Sequence, residues 1–158
     1  MRTRQKGFSL VELLIVLAII LTICAIAIPN LQSARMAANQ ASAVSSLRTI
    51  NGSAITYSLT YPDTGFPASL SAMGGAQPCT ASSASACLLD EVLASGTKSG
   101  YTFVWTGDGN TPSVGYTITA TPVTAGSSGK IMFCSDQSGN VFYDPSGAAC
   151  TSTSAPLQ

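Results

Sequence analysis

Lys6-Gly7-Phe8-Ser9-Leu10-Val11-Glu12 opens an apolar run that lasts to Ile28 and stops at Pro29. Upstream stand Arg2, Arg4 and Lys6 with no carboxylate among them, and from Phe8 to Ile28 the one charged residue is Glu12. This run of 21 residues is long enough to cross a bilayer as a helix, since about 20 residues span roughly 30 Å of hydrocarbon. The cations ahead of it are expected to hold the N-terminus on the cytoplasmic side and leave the rest of the chain outside. Glu12 argues against a plain anchor or a secretory signal. A carboxylate inside an apolar helix costs about 2.5 to 3.5 kcal/mol on insertion scales and needs a partner. A free amine made by cleavage between Gly7 and Phe8 would supply one.

The stretch from Lys6 to Val16 resembles the leader and mature helix start shared by type IV pilins and type II secretion pseudopilins. The resemblance implies that a membrane peptidase cuts after Gly7 and methylates the new N-terminal residue, Phe8. It makes Glu12 the fifth mature residue, where that family carries its assembly glutamate, and it matches Pro29 to a proline at the end of the membrane-embedded half-helix. Three parts follow: a leader at 1–7, a membrane and polymerisation half-helix at 8–29, and a globular domain at 30–158 that includes the second, amphipathic half of the helix. The expected fold is α+β, a long N-terminal helix packed on a four-stranded antiparallel sheet.

The whole chain balances seven basic against seven acidic residues, but removal of residues 1–7 would leave four cations and seven carboxylates. A mildly acidic domain with 9% charged residues has no basic stripe of the kind a dedicated nucleic-acid binder needs, so no specific nucleic-acid site is expected. About a hundred residues bury only a modest core, and staples are expected. Cys79, Cys87, Cys134 and Cys150 fall on the exterior side, where disulfides persist. Four cysteines allow three connectivities and sequence does not choose among them; the two local pairs, Cys79 with Cys87 and Cys134 with Cys150, are favoured. The second pair encloses a region resembling the disulfide-bounded C-terminal region of many type IV pilins. Cys24 lies in the apolar run and reads as a small apolar side chain buried in the membrane helix. Zinc is disfavoured by the absence of C-x-x-C and of histidine.

Phe8 to about Tyr57 reads as one helix, about 75 Å long at 1.5 Å per residue, with a kink or local melting at Pro29. Beyond Pro29 the pattern Leu31, Ala34, Ala38, Ala41, Val44, Leu47, Ile50 predicts a docking face. Residues 61–88 form a loop, and Leu88 to Ala94 a short helix stopped by Gly96. The period then becomes two: runs at 101–105, 116–121, 130–134 and 141–143 alternate and are separated by turn residues, as in an antiparallel meander.

No catalytic constellation emerges, because without histidine there is no Ser/His or Cys/His pair. Asp90 and Glu91 read as a helix start, and Asp108, Asn110, Asp136 and Asp144 as turn chemistry rather than a calcium site. The aromatic residues Tyr101, Phe103, Trp105 and Tyr116 read as core rather than as a path for electrons. The expected function is that of a structural subunit with no catalytic residues, metal or cofactor. Its partners would be identical subunits, the prepilin peptidase and methyltransferase, the inner-membrane assembly machinery, and lipid before assembly. It would move from the inner membrane to an extracellular filament serving adhesion, motility, DNA uptake or surface attachment. A type II secretion pseudopilin, a minor pilin acting as a binding tip, and a helix-tethered enzyme are the alternatives.

Overall fold

The computed structural model describes residues 8–157, so the leader expected at 1–7, Gly7 included, lies outside it. Two compact units divide the chain, one ending at Arg35 and the other beginning at Met36. The first helix, α1 (Leu10–Thr60), contributes to both. In the first unit every described residue is exposed. Helical conformation passes through Pro29 without interruption. Melting there, one of the two expected outcomes, does not occur, because losing a single backbone hydrogen bond leaves the turns on either side intact.

The second unit is α+β. Its sheet comprises β1 (Thr97–Lys98), β2 (Tyr101–Gly107), β3 (Tyr116–Pro122), β4 (Met132–Asp136), β5 (Val141–Asp144) and β6 (Ala155–Pro156), in sequence order and antiparallel throughout. The four expected strands are β2 to β5. The sheet has six because two-residue strands, too short to show an alternating pattern, close both edges. Short edges also offer little backbone for pairing with another chain.

Alternation decides which face is buried. Tyr101 and Phe103 of β2, Tyr116, Ile118 and Ala120 of β3, and Phe133 of β4 point to the core, with Phe103 opposite Ala120 and Trp105 opposite Ile118. The threonines of the same strands take the other face, with Thr102 opposite Thr121 and Thr106 opposite Thr117. Onto the buried face pack Ala43, Leu47, Ile50, Ala54 and Tyr57 of α1. Leu47 and Ile50 are fully buried, each contributing roughly 1.5 to 3 kcal/mol.

That helix face is rotated from the expected one. Leu47 and Ile50 are shared and Val44 is half-buried, but Leu31, Ala34, Ala38 and Ala41 are exposed. Alanine marks a face weakly because it tolerates either environment, and two polar residues, Ser46 and Asn51, occupy the buried side. Asn51 is accommodated by hydrogen bonds. Its Nδ2 donates to Ser135 Oγ at 2.7 Å and to the Gly139 carbonyl at 3.2 Å, and its Oδ1 accepts from the Tyr116 hydroxyl at 3.0 Å. Ser135 Oγ in turn donates to the Asn140 carbonyl at 2.6 Å. One helix residue is thus tied to β3, β4 and the β4–β5 turn.

Between helix and sheet the chain from 61 to 96 is less open than a loop. It holds α2 (Leu70–Met73), whose N-cap Ser69 accepts from the Ala72 N–H, and α3 (Glu91–Ala94), whose N-cap Asp90 accepts from the Leu93 N–H at 2.7 Å. The expected short helix therefore starts three residues late, because Asp90 caps it.

Removing the Asn51 amide strands the Tyr116 hydroxyl in the core and takes one donor from Ser135 Oγ, which keeps its bond to the Asn140 carbonyl. Asn51→Ala is expected to cost roughly 1 to 3 kcal/mol and to lower the chemical denaturation midpoint of the full chain in detergent. An unchanged midpoint would show that the network contributes nothing.

Candidate functional site

The N-terminal end of α1 brings together Phe8, Ser9 and Glu12. Ser9 precedes the first helical residue, Leu10, and so occupies the N-cap position; Glu12 stands three residues on. Their spacing is the S-x-x-E pattern of a capping box, in which the acidic side chain reaches back to the N-cap amide. The Ser9 N–H donates to Glu12 Oε2 at 3.2 Å, and the Leu13 N–H donates to the Ser9 carbonyl at 3.2 Å. Glu12 Oε1 has no hydrogen bond among the described residues. The sequence pattern holds this contact in plain view, yet attention to cleavage and amine pairing passes over it. Glu12 therefore has one local donor before any cleavage occurs.

Around Glu12 and beyond it to Ile28, apolar side chains stand on all sides. Phe8 and Leu10 are each 77% exposed, and Leu14, Leu21, Ile26 and Leu31 are also open. The helix is long and apolar enough to cross a membrane by length and composition. The hydroxyl of Thr22 donates to its own helix, to the Ile19 carbonyl at 2.8 Å, and so presents no unsatisfied donor to an apolar surrounding. Cys24 is a free thiol on the exposed surface of this helix. Pro29 lies in the same unit as Glu12, and the four remaining cysteines lie in the other.

In the second unit Cys79 is bonded to Cys87 and Cys134 to Cys150, with Cα separations of 6.1 and 5.6 Å. The first bridge fastens the segment after α2. The Ala86 N–H donates to the Ala72 carbonyl at 2.8 Å, and the Leu88 N–H to the Met73 carbonyl at 2.7 Å. Tyr57 of α1 reaches the same segment, its hydroxyl donating to the Ser83 carbonyl at 2.6 Å. Gly75 is required there, since a Cβ would overlap Cys79 Sγ.

The second bridge encloses a loop organised by Asp144. Its carboxylate accepts from Ser146 N–H at 3.0 Å, Ser146 Oγ at 2.6 Å, Ala148 N–H at 3.0 Å and Ala149 N–H at 3.0 Å. Asp108 is occupied in the same way by Asn110, Val114 and Gly115. The oxygens considered for calcium are thus engaged by their own turns, and no group of three His, Cys, Asp or Glu side chains converges among the described residues. The aromatic residues are packing partners: Trp105 stacks on Tyr116 at 4.1 Å, Phe66 meets Tyr116 edge-on at 4.9 Å, and the Trp105 indole donates to the Pro67 carbonyl at 2.9 Å. Burial, with Asp136 nearby, pushes the Tyr116 hydroxyl up to about 12.

Comparison with known proteins adds one finding: residues 2–28 match the model of the prokaryotic N-terminal methylation motif. That motif is the prepilin-type signature of type IV pilins and pseudopilins, which are structural subunits. No curated protein and no solved structure matches the chain.

The hydroxyl of Ser146, with the Ala149 and Ser146 N–H groups, holds the Asp144 carboxyl down at about 2 against an ordinary value of 3.8. The folded value is depressed, so the stabilisation is fully present above about pH 4 and is lost as pH falls through about 2. Chemical denaturation of the wild-type full chain and of Asp144→Asn, at neutral pH and in steps down to the acid limit, should show a gap between them. The gap is expected to be constant above about pH 4 and to close below it. A gap independent of pH would remove Asp144 as its source.

Proposed function

We propose, on the premise that this chain carries the prepilin-type signature of type IV pilins and pseudopilins, that it is the structural subunit of an extracellular type IV filament. In this reading it enters the inner membrane through residues 8–29 with its N-terminus cytoplasmic, and residues 30–158 lie outside. A peptidase removes residues 1–7 and the new terminus at Phe8 is methylated. Assembly then moves the apolar half-helix from lipid into a bundle of its own kind. Identical subunits and the inner-membrane assembly machinery are the partners, and the filament would serve attachment, motility or uptake.

The observation that carries this reading is one helix with two chemistries. Residues 8–35 are all exposed and those from 8 to 29 almost wholly apolar, whereas residues 43–57 bury one face on an antiparallel sheet. The exposed half needs lipid or other helices around it. Two disulfides in so small a domain favour a durable extracellular fibre over a type II secretion pseudopilin, which would share every N-terminal feature.

Intact-mass measurement of sheared filaments should show a chain that starts at Phe8 with an added methyl group. Gly7→Val should retain residues 1–7 and assemble poorly. A fibre that contains Met1 would sink the processing claim.

Glu12→Ala is expected to leave the chain cleaved, folded and membrane-inserted while filaments are abolished or strongly reduced. A carboxylate in lipid is poorly satisfied, whereas in a bundle it meets the amine of a neighbouring Phe8 and fixes the axial stagger. Abundant normal filaments from Glu12→Ala would refute the pairing, and failure of cleavage would reassign Glu12 to peptidase recognition.

A further inference from the structure

We propose that the outer face of β2 and β3, with the recess at its hairpin end, is a binding site for a neutral, hydroxyl-rich ligand, an uncharged oligosaccharide. The site lies wholly in the second unit and is complete in one copy of the chain.

The recess opens beside the β2–β3 turn, has a volume of about 270 Å³, and is bordered by Thr106, Gly107, Asp108, Gly115, Thr117 and Gln137. Sites for drug-sized ligands run from about 300 to 1,000 Å³, so this one suits a single ring. Thr106 and Thr117 stand directly opposite each other across the two strands, which sets their side chains about 5 Å apart. The Gln137 amide lies over Gly115, where an added Cβ would stand 3.5 Å from its Oε1. Two hydroxyls and one amide thus border one small space, and each of the three both donates and accepts. A sugar hydroxyl has the same dual character.

Charge argues against other ligand classes. Asp108 is the one charged residue at the recess, and its oxygens are turned into its own turn by Asn110, Val114 and Gly115. No cation borders the recess to hold a phosphate or a uronate. Tyr116 also borders it, but its hydroxyl is directed into the core, to Asn51.

From the recess the same face continues as a ladder. Thr102 stands opposite Thr121 and Val104 opposite Thr119, and the rows repeat at about 6.8 Å along the strands. Neither strand carries a charged residue. Thr22, Thr49, Thr56 and Thr60 of α1 donate to carbonyls of their own helix, whereas the hydroxyls of Thr102, Thr106, Thr117, Thr119 and Thr121 have no hydrogen-bond partner among the described residues. Threonine is stiff at χ1, so little side-chain freedom is lost when a ligand settles on this ladder. A chain of hydroxylated rings would meet the recess and the ladder together.

The test titrates the ¹⁵N-labelled full chain, held in phosphocholine micelles free of sugar, with cellohexaose, maltohexaose and chitohexaose. Spermidine and a galacturonate oligomer are the charged counterparts. At least one neutral oligosaccharide should move the Gly107 and Gly115 backbone amides and the Gln137 side-chain amide saturably. Thr106→Val and Thr117→Val keep the branched shape and remove one hydroxyl each, so each should weaken that binding about three- to tenfold, the scale of one neutral hydrogen bond. Gly115→Ala places a methyl in the recess at ordinary contact distance from Gln137, and should abolish binding while leaving the folded spectrum intact. Thr49→Val removes a hydroxyl already engaged by the Ser45 carbonyl on α1 and should bind as the wild type does. Amides at the recess that stay unmoved by all three neutral oligosaccharides overturn the proposal. So does wild-type affinity in both threonine variants, or a stronger response to spermidine or galacturonate than to any neutral chain. Should one threonine variant lose its folded spectrum, the other and Gly115→Ala decide the outcome.

Discussion

A helix with apolar side chains on every side from Phe8 to Ile28 has no comfortable state in water, and the rest of the molecule is arranged around that constraint. Two surroundings satisfy it, lipid and a bundle of similar helices. For the leucines and isoleucines the two are nearly equivalent, because lipid tails are about as apolar as the side chains themselves. Apolar surface therefore confines this half of the helix without choosing between its two homes. In the filament reading, that choice falls to the polar end, where Ser9 and Glu12 stand, and to packing.

The second unit meets a different difficulty, which is to stay folded with few charges and a modest core. Among its described residues the one salt bridge joins Lys98 to Asp90 at 3.1 Å, and it is exposed enough to contribute at most about 1 kcal/mol. Its specificity comes from elsewhere. Aromatic rings pack between α1 and the sheet, bridges fasten the segment after α2 and the loop after β5, and Asn51 ties the helix to β3, β4 and the turn after β4. A buried amide with all its partners present favours one docking of helix on sheet over neighbouring registers, because each slip would leave donors and acceptors unmet.

The fold class is legible in the sequence because both periods are clean: an apolar run too long for a core helix, then aromatic and threonine residues alternating through β2 and β3. The two-residue edge strands are not legible, since two residues have no period. The phase of the buried helix face is legible only from Leu47 onward. Upstream the face is written in alanine, which fits either side, and Asn51 and Ser46 reverse the usual rule that polar residues point outward. At the candidate site, the residue types of Phe8, Glu12 and Pro29 stand out by their contrast with the run around them. The Ser9 contact does not, because serine is common and its part is played by a backbone group that every residue except proline possesses.

The carboxylates of this chain differ in how fully the fold satisfies them, and the difference bears on function. Asp144 accepts four hydrogen bonds from its own loop and Asp108 four from its own turn, both at the surface, where water would have sufficed. Glu12, in the most apolar stretch of the molecule, accepts one among the described residues, from Ser9. Stability alone would distribute donors the other way, since an under-satisfied carboxylate costs least where solvent is at hand and most where it is absent. Among the described residues, the carboxylate in the most apolar stretch thus has a single donor, an arrangement that gains nothing for an isolated chain. In the filament reading proposed above, the gain would arise when a second chain brings a cation to that carboxylate.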